Sequence, residues 1–64
     1  MSLLEQGIRS IKLLTGNLQQ IVSFSNGFGK PLDGEDWQDI KDNANAIQTE
    51  VEKILALAQK EEGE

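Results

Sequence analysis

Apolar side chains in the first third of the chain recur at helical spacing. In "SLLEQGIRSIKLLTGNLQQIVSFS" they fall at Leu4, Ile8, Ile11, Leu18 and Val22, with Thr15 completing the alternation of threes and fours. A second, overlapping row runs Leu4, Ile11, Leu14, Leu18, Ile21 and contains Gly7. At 3.6 residues per turn the two rows together cover about 140° of a helix surface, wider than a single coiled-coil seam. Ser2 is placed to cap this helix, with Glu5 three residues on as its capping-box partner. Glu5 and Arg9 form a favourable pair four residues apart. Ser25-Asn26-Gly27 is the expected stop, because Asn or Gly accepts the left-handed conformation that ends a helix.

The second segment, "DGEDWQDIKDNANAIQTEVEKILALAQKEE", has a narrower stripe. Trp37, Ile40, Ala44, Ile47, Val51, Ile54 and Ala58 keep the 3-4-3-4 spacing of an a/d seam. Asp33 is the expected N-cap with Asp36 at N3, and Leu32 and Trp37 occupy the staple positions on either side. Glu35, Asp36 and Asp39 lie where the helix dipole favours negative charge. Glu61, Glu62 and Glu64 oppose the dipole at the other end, so fraying is expected there. The pattern therefore predicts one domain, 1–64: a helix over about 2–25, a bend over about 26–33, a helix over about 34–61 and a frayed acidic tail at 62–64. A short connection makes two helices antiparallel neighbours.

This division of apolar surface predicts more than a lone hairpin. The second helix has one seam plus Leu55 and Leu57, whereas the first has two rows. One row would face water in a single chain. Covering about four or five large aliphatics is worth on the order of 6–15 kcal/mol, comparable with the whole stability of a typical domain. The expected fold class is all-α: an antiparallel helical hairpin that self-associates into a four-helix-bundle-like dimer or higher oligomer. The expected interface residues are Leu4, Ile8, Ile11, Leu14, Leu18, Ile21 and Val22. The expected hairpin seam is Trp37, Ile40, Ala44, Ile47, Val51 and Ile54. The stretch from Leu13 through Gly29 carries no charge, and interface cores are depleted in charge. Gly7, inside the apolar row, suits a close helix approach. Gly16 lies on the opposite side, with no role visible in the pattern.

Composition sharpens what the pattern leaves open. The chain has 64 residues and neither cysteine nor histidine, so disulfides and thiolate or imidazole metal sites are excluded. A chain this short buries only about 60% of its unfolded surface. Oligomerisation or very good helix packing is left to stabilise it. No apolar run is long enough to span a bilayer, and "MSLLEQGIRSIK" has no signal-type apolar stretch. A cytoplasmic protein with no membrane partner is the expectation. The net charge of −5 is uneven: Glu5, Arg9, Lys12 and Lys30 leave the first half slightly positive, and everything from Asp33 onward is strongly acidic. Affinity for nucleic acid rests on Lys and Arg displacing counterions, so duplex DNA is disfavoured as a partner.

Three places invite chemistry. "SFSNGFGKPLDGEDW" contains a Gly-Lys pair, but a P-loop needs a glycine where Phe24 stands and Ser or Thr where Pro31 stands, after a strand. Turn formation explains its glycines and proline better. The same stretch holds Phe24, Phe28 and Trp37. These read first as a small satellite core pinning the bend, second as an anchor for another protein, and third as a stacking platform for a nucleotide base with Lys30 facing a phosphate. The pairs Asp39/Asp42 and Glu35/Asp39 share a helix face but lack an apolar wall to shift a pKa or a loop to arrange cation ligands. They read as a solvated acidic face. No catalytic residue, cofactor or metal site is assigned. The expected function is non-enzymatic: association with itself and with another protein, as a regulator or inhibitor of a partner macromolecule. The alternatives are a structural subunit of a larger helical assembly, and a small-ligand or nucleotide-sequestering protein that uses the aromatic tip or an inter-subunit cleft.

Overall fold

The computed structural model describes residues 2–62 and consists of two helices packed against each other, α1 (Leu3–Phe28) and α2 (Gly34–Glu62). Gly63 and Glu64, the end of the expected acidic tail, lie outside the described residues.

Each end is fixed by local chemistry. The Ser2 hydroxyl accepts from the Glu5 N–H and donates to the Glu5 carboxylate, both at 3.1 Å. At the start of α2 the box is reciprocal: the Asp36 N–H donates to Asp33 Oδ1 at 2.9 Å, and the Asp33 N–H donates to Asp36 Oδ2 at 3.1 Å. The end of α1 differs from the sequence expectation. The helix passes through Asn26 and Gly27 in helical conformation and runs to Phe28, three residues past the expected end at about 25, with Gly29 as its cap (φ 64°, ψ 26°). There the Lys30 N–H reaches back to the Ser25 carbonyl at 3.1 Å, closing a Schellman turn. The Ser25 hydroxyl also donates to the Lys30 carbonyl. Two extra hydrogen bonds at Gly29 outweigh the weak helix preference of Asn26 and Gly27. The bend shrinks to residues 29–33.

The helices run antiparallel, with Gly7 against Ile54 and Asn17 bonded to Asn43. On α1 the row turned toward α2 is Gly7, Ile11, Leu14, Leu18, Ile21 and Ser25, all buried or half-buried. On α2 the partly buried row is Asp36, Ile40, Asn43, Ile47, Glu50, Ile54 and Leu57. The expected α2 seam is therefore half replaced. Ile40, Ile47 and Ile54 face α1, whereas Trp37, Ala44 and Val51, with Ala58 beyond them, stand exposed beside the seam.

The reason lies in the partners. Gly7 presents no side chain, so Ile54 seats directly on the α1 backbone. Asn43, on the buried side, has its amide satisfied by the Asp39 carbonyl at 2.7 Å and by Asn17 across the seam at 3.3 Å. Glu50 keeps its carboxylate at the edge, 3.3 Å from Lys53 Nζ. These contacts turn α2 so that three isoleucines serve both possible rows while the rest of the apolar stripe points away.

The result is one layer of helices. The Cα envelope measures 52 × 20 × 13 Å, and its least dimension is close to a single helix diameter. Among the described residues no hydrophobic side chain is fully buried, and Gly7 alone counts as buried. Domains ordinarily bury a core between two packed layers; here the second layer is missing.

Candidate functional site

The site worth building is the face that the seam leaves open. At about 100° per residue, Leu4, Ile8, Thr15 and Val22 lie to one rotational side of the α1 seam row. Trp37, Ala44, Val51, Leu55 and Ala58 lie to the same rotational side of the α2 row. Because the helices are antiparallel, the same sense of rotation carries both flanks to the same face of the hairpin. At the open end this is visible directly: Leu4, Ile54, Leu57 and Ala58 line one shallow cavity of about 590 Å³. Ile8, Val22, Trp37 and Leu55 are all exposed, Trp37 at 58%. The centre of the face is uncharged; Lys41 and Gln48 mark its edge.

The other face is polar along most of its length. It carries Ser10, Asn17, Asn43 and Glu50, and a cavity of about 450 Å³ lined by Gln6, Ser10, Glu50 and Lys53 together with apolar residues. At the hairpin tip it also carries Phe24 and Phe28, stacked with centroids 6.2 Å apart and planes 10° apart. These rings are exposed, Phe28 at 72%. Lys30, Pro31, Asp33 and Asp36 join them around a cavity of about 230 Å³, smaller than the usual small-molecule site. Two carboxylates beside the lysine make this a poor cradle for phosphate.

The structure thus divides the sequence-predicted residues differently from the expectation. Of the seven α1 interface candidates, Ile11, Leu14, Leu18 and Ile21 are half-buried against α2, and Leu4, Ile8 and Val22 are open. The tip aromatics separate: Phe24, Phe28 and Lys30 come together, and Trp37 stands on the opposite face with Val22. Leu55, which sequence reasoning left outside the seam, is an exposed member of the apolar face. The signal that finds it is the antiparallel rule applied to both helices at once, not the periodicity of either alone. Among the described residues no group of three or more His, Cys, Asp or Glu side chains is arranged to hold a metal ion. Among them, too, no helix is long and apolar enough to cross a membrane.

Fold and face together define a two-helix hairpin with one apolar face and a second face that is polar along its middle and carries the exposed Phe24 and Phe28 at the tip. In comparison with known proteins, no family model, no curated sequence and no solved structure matches this chain.

Proposed function

We propose that this protein works by association and not by catalysis: a small acidic helical hairpin that completes its core with other chains in a four-helix-bundle-like oligomer and acts as a regulator or inhibitor of a partner macromolecule. One observation carries the reading. Among the described residues the single chain buries no hydrophobic side chain, and it leaves ten large ones exposed. A folded chain of this size normally hides most of such surface. The uncharged centre of the open face supports the same reading, since interface cores lose charge before anything else.

The test combines mass in solution by light scattering, binding of the apolar dye anilinonaphthalene sulfonate, and the melting of the double variant Val51→Lys/Leu55→Lys. Both positions are exposed in an isolated hairpin, where surface changes are worth within about ±0.5 kcal/mol. The reading expects one of two results. Either the chain self-associates and the variant melts far below the parent, or it is a lone hairpin whose open face binds the dye and whose variant does not. A monomer that binds no dye and melts with its variant overturns it.

A further inference from the structure

Resting on the association reading, we infer that the occupant of the apolar face is a second copy of this chain, laid head to tail about a two-fold axis so that Trp37 of each copy packs on Ala58 of the other. Three observations carry this.

The first is area. A compact protein of this mass exposes about 4,100 Å², and the hairpin exposes 5234 Å². The excess, about 1,150 Å², exceeds the roughly 800 Å² that each partner contributes to a stable interface.

The second is symmetry of spacing. On α1 the open residues Leu4, Ile8, Thr15 and Val22, taken together with the half-buried seam residues Ile11 and Leu18 beside them, form a row whose spacing reads the same in both directions about Leu13. On α2 the row Trp37, Ala44, Val51, Ala58 is symmetric about the Ile47–Gln48 bond. The hairpin contacts Gly7–Ile54 and Asn17–Asn43 place Leu13 at the same height as that bond. One two-fold axis, lying between the faces and across the helices, therefore serves both rows. A two-fold interface must be self-complementary in this way.

The third is size matching. The axis pairs Trp37 with Ala58, Ala44 with Val51, and Ile11 with Thr15, a larger residue opposite a smaller one, and brings the aliphatics Leu4 and Val22, Ile8 and Leu18, and Ile40 and Leu55 together. Cores pack when large and small alternate across facing positions. The competing tip-to-tip arrangement sets Trp37 opposite Val22 in both halves of one end and leaves Thr15 opposite Ala44 at the middle, bulky at the tip and thin at the centre.

The chain has no cysteine, so engineered thiols report the geometry without background. In Trp37→Cys/Ala58→Cys the two thiols sit about 31 Å apart along one helix, far beyond disulfide reach, and any bond between positions 37 and 58 joins two chains. Gln48→Cys keeps Trp37 and sets a thiol beside its own counterpart at the axis. The expected result is a parent mass of about twice 7.1 kDa by sedimentation, and covalent dimers from both variants after mild oxidation or a short bismaleimide. A dimer that neither variant cross-links overturns the head-to-tail pairing. A trimer or larger species overturns the two-fold. A lone hairpin whose face binds the apolar dye overturns the second copy as occupant while the association reading stands.

Discussion

A Cβ built on Gly7 would stand 3.0 Å from Cγ1 and 3.2 Å from Cδ1 of Ile54. The two helices therefore touch backbone to side chain near the open end of the hairpin, and a side chain at position 7 requires Ile54 to give way. Gly16 is the opposite case, a helical glycine whose Cβ would meet nothing within 4 Å. Gly7→Val should lower stability by about 1–3 kcal/mol through overpacking. Gly16→Ala should raise it by roughly 0.5–1 kcal/mol through helix propensity. Thermal melts followed by circular dichroism check both; a shift of the same sign in the two variants would remove the close-contact explanation.

The end of α1 gives a second matched pair. Gly29 has φ 64° and closes the Schellman turn, while Gly27 is helical with open space around it. Gly29→Ala should cost about 1–2 kcal/mol, and Gly27→Ala should be neutral or stabilising by up to about 1 kcal/mol. If Gly27→Ala proves the damaging one, the helix ends earlier than described.

Asp33 holds the first turn of α2 through the hydrogen bond it accepts from the Asp36 N–H. Asp33→Ala should cost about 0.5–2 kcal/mol, and Asp33→Asn, which keeps a capping oxygen, much less. Urea titration of the three proteins would show the order, and equal midpoints would deny the cap any part in stability.

Seam and face should respond differently to substitution. Leu18 lies half-buried against α2, so Leu18→Asp buries a charge without a partner and should abolish cooperative folding. Trp37 is open in the single hairpin, so Trp37→Ala should leave the bend intact and act on association. Its expected signature is a mass that falls toward the monomer at dilutions where the parent stays assembled. Trp37 is also the only tryptophan, so parent emission should move to the red on dilution. Emission and mass that do not change together would separate Trp37 from the interface.

Periodicity, caps and length were enough to read two helices, their approximate ends and their antiparallel pairing. Asp33/Asp36 form both hydrogen bonds of the box their spacing implies, and Ser2 caps α1 as its spacing implies, with the Glu5 carboxylate accepting from the Ser2 hydroxyl, because capping is local and depends on a few adjacent residues. The width of the apolar stripe on α1 was legible too, and with it the expectation of uncovered surface. Which residues would be uncovered was not legible. Ile40, Ile47 and Ile54 recur every seven residues and fit either of two rows; the choice between Trp37/Ala44/Val51 and Asp36/Asn43/Glu50 depends on what stands opposite. Only the packed pair settles it, through the gap at Gly7 and the amide contact of Asn17 with Asn43, interactions between residues dozens of positions apart. That rotation of α2 brings the flanks of both helices onto one face, a property of the tertiary arrangement that no single stretch of the chain contains.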